Sequence, residues 1–224
     1  MSAESPAQRP TQPWPVRVTH WLNVLSLICL AGSGLQILVA FPNFGPRGDP
    51  VPWYPFPDRD PPEWLRLGGG LADARHIHFA IAWVMVINAA LYAVWLFASG
   101  QFRERLFFPK RDFREVLSSI RAYLHLHEAP ITIGPYNGLQ RLAYTGTLGL
   151  GCLAILSGLS LYKPVQLKLL CALFGGYDGA REIHFLTLLG LASFTAGHIV
   201  MVLLHPREIV LMTVGGTRHE GGEP

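Results

Sequence analysis

Four stretches without a single Asp, Glu, Lys or Arg divide this 224-residue chain: the residues between Arg17 and Arg47, then 79–102, 142–162 and 183–206. Each is long enough to hold the roughly 20 apolar residues that cross about 30 Å of hydrocarbon as a helix. Half of the chain is hydrophobic and only 15% is charged, too apolar for an ordinary soluble domain of this size. The expected fold is therefore an all-α integral membrane protein, a four-transmembrane-helix bundle with helices at about 18–40, 74–99, 138–162 and 182–205.

The connections supply an orientation. Residues 1–17 form a polar, Pro-rich tail with Arg9 and Arg17. The first apolar run is too long for a signal peptide and lacks a small-residue cleavage site, so it is read as a retained helix. The connection after the first helix carries four Arg (Arg47, Arg59, Arg66 and Arg75) against five acids (Asp49, Asp58, Asp60, Glu63 and Asp73), whereas the connection 100–137 carries six Lys and Arg. By the positive-inside tendency both tails (1–17 and 207–224) and the 100–137 connection are cytoplasmic, and the Pro-rich loop 41–73 is periplasmic. Its Trp53, Tyr54, Phe56 and Trp64 are expected at the membrane interface, where amphipathic rings prefer to sit.

Two short pieces, one amphipathic and one apolar, are expected in the interface as well. In 112–124, Phe113, Val116, Leu117, Ile120 and Leu124 recur at helical spacing. The other is 165–174, after which Gly175-Gly176 turns the chain into the fourth helix. The net charge of +3 lies mostly in these loops and marks membrane lipid, not nucleic acid, as the surroundings. Cys29, Cys152 and Cys171 form no C-x-x-C-H motif, which removes covalent haem attachment and Cys-held iron–sulfur clusters from consideration.

Histidines then stand out, because an ionisable side chain inside a membrane span is costly and points to function. His184 and His198 lie fourteen residues apart on the fourth helix, which at about 1.5 Å and about 100° per residue is about 21 Å and some 40° short of four turns. They share one face, near opposite sides of the bilayer. With the orientation above, His20 lies at the depth of His198, and His76 and His78 at the depth of His184. Two depth-matched pairs, His20/His198 and His78/His184, suit axial ligation of two b-type haems between helices. Against this stands the plainer role of histidines as polar glue between helices.

An internal repeat chooses between His76 and His78. R-H-I-H-F at 75–79 matches R-E-I-H-F at 181–185, aligning His78 with His184 and His76 with Glu182. Arg75 and Arg181, one turn toward the periplasm, are candidates for holding haem propionates or for simple interfacial snorkelling. Ser33-Gly34-Leu35 likewise matches Ser157-Gly158-Leu159, so that Tyr144 stands where His20 does and Tyr92 where His198 does. Gly34 and Gly158 are expected against the second haem, and most other membrane glycines serve close helix packing. Arg17, Asn23, His205 and Arg207 lie at a depth from which they could contact a quinone or anchor the interface.

V-R-V-T-H-W-L-N (16–23), R-H-I-H-F, Y-N-G-L-Q-R-L-A-Y (136–144), R-E-I-H-F and G-H-I-V-M-V (197–202) together resemble the bacterial cytochrome b-561 superfamily. More narrowly, the chain resembles the cytochrome b membrane subunit of Ni,Fe-hydrogenases, formate dehydrogenases and molybdopterin oxidoreductases. The Y-N-G-L-Q-R-L-A-Y stretch leans toward the molybdopterin-associated branch. The resemblance covers about 10–214 and implies four helices, two b haems ligated from helices one, two and four, and electron passage between a periplasmic redox subunit and membrane quinone. A free-standing superoxide:quinone oxidoreductase of the same fold, and a haem-free membrane anchor or assembly factor, are the alternatives.

Overall fold

The computed structural model describes residues 9–10, 12–45, 49, 51–54, 56, 59–123, 136–215 and 217–218; the side chains of residues 9, 10, 123, 207, 208, 217 and 218 are outside the described set. Four helices are long and apolar enough to cross a membrane: α1 (Trp14–Ala40), α2 (Leu71–Ala98), α5 (Gly138–Tyr162) and α7 (Gly176–Leu204). Between and after them lie the shorter α3 (Phe102–Arg105), α4 (Pro109–Tyr123), α6 (Lys168–Leu173) and α8 (Arg207–Thr213). A two-residue antiparallel bridge, β1 (Arg9–Pro10) with β2 (Thr217–Arg218), joins the two tails. No alternating pattern in these Pro- and Gly-rich segments foreshadows it.

Three of the long helices begin before the charge-free runs do, at residues 14, 71 and 176 where the sequence suggested 18, 74 and 182. A helix need not stop where hydrocarbon stops. Asp73 and Asp178 fall in first turns, where a negative charge faces the positive end of the helix dipole, and Pro15 is tolerated because first-turn N–H groups have no intrahelical partner. Gly175 and Gly176 adopt φ of +81° and +93°, a left-handed conformation that turns the chain into α7. Leu25, Ile28, Val94 and Leu203 keep more than three-fifths of their surface open, as helices do when lipid is their solvent.

The chain forms two compact units: Met1–Thr19, Tyr92–Leu148 and Phe194–Pro224 make one, and His20–Leu91 with Gly149–Ser193 make the other. In the second, the Pro-rich connection folds back onto the helices. Leu38, Phe44 and Phe185 form a buried cluster flanked by Leu35, Val51, Tyr54, Phe56 and Leu188. The Phe44 ring lies 5.1 Å from that of Phe185 and 5.7 Å from that of Trp53, whose indole N–H donates to Glu182 at 3.0 Å. The Leu67 N–H donates to the Gly32 carbonyl at 3.0 Å, and a Cβ on Gly32 would come within 3.0 Å of the Leu67 Cβ. Trp53, Tyr54 and Phe56 therefore pack on protein, where the sequence suggested an interfacial belt. Trp64 alone of the four is widely exposed, at 81%.

The first unit contains a polar core. α5 opens with a reciprocal cap, in which the Gln140 N–H donates to Asn137 Oδ1 at 2.9 Å and the Asn137 N–H to Gln140 Oε1 at 3.0 Å. α4 packs so closely here that a Cβ on Gly138 would lie 2.7 Å from the Asp112 carbonyl. One turn on, the buried Arg141 donates to Asp112 at 2.8 Å, to Glu115 at 3.3 Å and to the Glu104 carbonyl at 3.0 Å. Asp112, Glu115 and Ser119 are buried, while Phe113, Leu117 and Ile120 are exposed. α4 thus turns its polar face to the protein and its apolar stripe outward. Arg105, also buried, donates to Gln12 at 2.9 Å and to Gln101 at 3.2 Å and lies over the rings of Trp95 and Tyr136.

Burial alone would raise the Asp112 carboxyl, but hydrogen bonds from Arg111 and the Phe108 N–H, with the charges of Arg111 and Arg141, outweigh it and hold the group below its ordinary value. A carboxyl depressed in the folded state stabilises the fold above its unfolded value of about 3.9, and that contribution is lost as pH falls through the lower folded value. Arg141→Ala leaves two carboxylates buried without this partner, a change that costs about 3–5 kcal/mol in comparable sites. The variant should unfold at clearly lower temperature in detergent at pH 7, and the gap from the parent should narrow only at strongly acidic pH.

Candidate metal centre

His78 on α2 and His184 on α7 lie beside one another in the second unit. Their ring centroids are 6.2 Å apart and their planes stand at 72°. Two imidazoles bound to opposite sides of one metal ion at about 2.0–2.1 Å, each centroid about 1.1 Å behind its nitrogen, would have centroids about 6 Å apart. A direct hydrogen bond between the rings, at about 2.9 Å, would bring the centroids to about 5 Å. The observed spacing matches the first arrangement.

The second nitrogen of each ring is already engaged. His78 Nδ1 lies 3.0 Å from Ser33 Oγ on α1, and His184 Nδ1 lies 2.9 Å from Ser157 Oγ on α5. The nitrogen left for a metal is Nε2 in both cases. Beside each ring runs a glycine: a Cβ on Gly34 would meet His78 Cε1 at 3.4 Å, and one on Gly158 would meet His184 Cε1 at 3.2 Å. In both cases the nearer ring nitrogen is Nδ1, at 3.7 Å, so the missing side chains let each ring lie close against the helix that carries its serine. Among the described residues no group of three or more His, Cys, Asp or Glu could hold a bare ion. Two facing imidazoles fit a porphyrin, which would bring further nitrogen donors of its own; His78 and His184 would hold it.

His76, aligned with Glu182 in the sequence repeat, is exposed, so the structure separates the two histidines of R-H-I-H-F clearly. The repeat-related arginines diverge. Arg181 donates to the Phe41 carbonyl at 2.7 Å, lies 4.0 Å from Asp178 and covers the Phe44 ring, holding the loop in place. Arg75 is exposed, over the Phe79 ring at 5.7 Å. His20 belongs to the second unit, edge-on to Trp21 at 5.4 Å. His198 belongs to the first, stacked on Phe194 at 6.0 Å.

Of the residues suggested for a quinone, Asn23 accepts a hydrogen bond from the buried Asn88 at 2.6 Å. Arg17 donates to the Thr213 carbonyl at 3.3 Å, and His205 Nδ1 lies 3.0 Å from the Met201 carbonyl. The Arg207 side chain falls outside the described set. Sequence reasoning passed over Ser33 and Ser157 themselves. In the sequence they stand only as markers of the repeat, although a serine recurring in register on both halves of that repeat is the available signal.

The two glycines differ in how much room they leave. Gly158→Ala sets a methyl 3.2 Å from a His184 ring that Ser157 holds in place, whereas Gly34→Ala meets His78 at an ordinary contact of 3.4 Å. Gly158→Ala should therefore lower the haem content of purified protein more than Gly34→Ala does, as read by a pyridine haemochrome assay; equal loss in both would contradict this geometry.

Comparison with known proteins places this arrangement. The family described as prokaryotic cytochrome b561 matches residues 11–213. A protein of Azospira oryzae, named as a protein-methionine-sulfoxide reductase subunit, YedZ1, is 35% identical over 215 residues, covering 96% of this chain and 100% of that relative. Proteins named as Ni/Fe-hydrogenase B-type cytochrome subunits are 26% identical in Bradyrhizobium diazoefficiens, over 85% of this chain and 73% of the relative, and in Escherichia coli K12, over 84% and 80%. Four apolar helices, a facing histidine pair and a match across nearly the whole chain make this protein a member of the prokaryotic cytochrome b561 family, a b-haem electron-transfer protein of a bacterial membrane.

Proposed function

We propose that this chain is a di-haem cytochrome b that carries electrons across the cytoplasmic membrane between a periplasmic redox partner and the quinone pool. The observation that carries the reading is the His78/His184 pair, spaced for one metal ion with both Nδ1 atoms engaged and both Nε2 atoms left to ligate. His20 and His198 are the second axial pair, on the depth match read from the sequence. Each haem, when bound, supplies a carrier that gains and loses one electron. The chain's own work is to hold the ligands at fixed depth, exclude water from the iron and set the electron affinity of each site.

The docking face for the partner is the loop 41–73 together with 163–180; within the former, Arg181, Glu182 and Phe185 hold Phe41, Trp53 and Phe44 against α7. The partner is of the molybdopterin-oxidoreductase or hydrogenase type. Likeness to YedZ1 over that relative's whole length favours a reductase acting on oxidised methionine in proteins, and with a reductase as partner electrons flow outward from quinol. The hydrogenase reading, with inward flow, rests on the lower identities to those cytochrome subunits. Arg17, Asn23, His205 and Arg207 are the candidate quinone contacts, and Arg75 is better placed than Arg181 to meet a haem propionate because it is not tied to the loop.

His198→Ala should remove one b-haem signal from the reduced-minus-oxidised spectrum and leave the other, and His78→Ala should do the converse. Retention of both signals in either variant would overturn the pairing. A haem-free anchor would show no bands even in the parent protein. A superoxide:quinone oxidoreductase would turn over as the purified single chain, whereas the proposed subunit requires its partner.

A further inference from the structure

We propose that Ser33 and Ser157 are paired positioning residues that fix the tautomer, ring angle and donor strength of both axial imidazoles, and so lower the reduction potential of the haem they flank. This rests on the ligation of that haem by His78 and His184. Both serines are fully buried, at 0% exposure. A serine hydroxyl has one proton to give. Ser33 Oγ lies 2.6 Å from the Cys29 carbonyl and 3.3 Å from that of Leu30, and Ser157 Oγ lies 2.6 Å from the Leu153 carbonyl and 3.3 Å from that of Ala154. Each O–H is thereby committed to its own helix, four residues back.

The proton between Oγ and the ring must then belong to the imidazole. His78 and His184 donate from Nδ1–H into the serine oxygens, which leaves the Nε2 lone pairs free for iron. The serines do not need these contacts, since the helix carbonyls already satisfy their hydroxyls. Each imidazole also has a backbone carbonyl within reach, that of Leu30 for His78 and that of Ala154 for His184, and the serine oxygen is the acceptor set by a side chain and therefore open to substitution.

Chemistry follows from the direction of the bond. An imidazole whose N–H is held by an acceptor pushes more electron density to its other nitrogen, which raises ligand basicity. A more basic ligand favours ferric over ferrous iron. The effect acts from both sides at once, because S-G-L occurs in the same register on α1 and α5 and meets the histidine of α2 and α7 respectively. Each bond also fixes the rotation of its ring, and together they maintain the 72° between the planes.

The test is a potentiometric titration of the two haems in full-length protein carrying Ser33→Ala, Ser157→Ala or both, with low-temperature EPR of the ferric state. Haem content should stay near the parent's. The potential of the His78/His184 haem should rise, with the ferric-to-ferrous ratio at a fixed poise falling about tenfold, which is about 59 mV for a one-electron couple. Its low-spin EPR signal should move as the ring angle relaxes, the other haem should be unchanged, and Ser→Thr at either position should restore the parent values. Unchanged potential and EPR with haem retained would overturn the assignment. Should an alanine variant lose this haem, Ser33→Cys and Ser157→Cys keep the volume while accepting only weakly; they should show the same upward shift, and no shift would overturn it. Loss of the ligation reading itself is separately visible, as a His78→Ala variant that keeps both haems.

Discussion

A polar group placed in hydrocarbon must find its partner within the protein, and most of what is distinctive here descends from that constraint. The imidazoles of His78 and His184 each have two nitrogens to satisfy. A serine on the neighbouring helix meets Nδ1 of each ring, and the two rings lie with their centroids 6.2 Å apart. The serine can serve only because it is a mid-helix residue whose own proton goes back to the preceding turn. The glycine that follows it lets the ring lie close against the same helix. One tripeptide, Ser-Gly-Leu, thus supplies acceptor and clearance together, and its repetition on α1 and α5 makes the centre nearly symmetric.

The same constraint works in the opposite sense around α4. There the groups that face inward are the carboxylates Asp112 and Glu115, and the buried guanidinium of Arg141 meets them. The stripe of Phe113, Leu117 and Ile120 faces away from the protein, which is the favourable direction only where an apolar medium lies outside. The sequence motif Y-N-G-L-Q-R-L-A-Y acquires a structural explanation at this point. Asn137 and Gln140 cap α5, Gly138 admits α4 at close range, and Arg141 clamps its polar face.

The second unit combines the histidines proposed to hold a haem with the loop proposed to meet a partner. Phe185 follows His184 directly and belongs to the cluster that seats Phe44, Trp53 and Tyr54, while Glu182 and Arg181 just before it bind the loop's indole and backbone. A short segment of α7 therefore carries both a proposed haem ligand, His184, and the residues that anchor the loop. Such coupling suits a protein whose task is to pass electrons to or from something docked there.

Much of this was legible from the chain alone. Charge-free runs long enough to span a bilayer follow from the elementary cost of burying charge, which does not depend on which helix touches which. The repeat sets His78 in register with His184, and the structure brings those two rings together and leaves His76 exposed. What the sequence could not decide was who touches whom: that Ser33 meets His78 and Ser157 meets His184, that Arg181 holds a carbonyl while Arg75 does not, or that the aromatic loop packs on Phe185. Hydrogen bonds of about 3 Å and ring contacts of about 5 Å between residues far apart in the chain depend on helix rotation and approach. Those are set by packing of whole surfaces, and only the tertiary structure contains them.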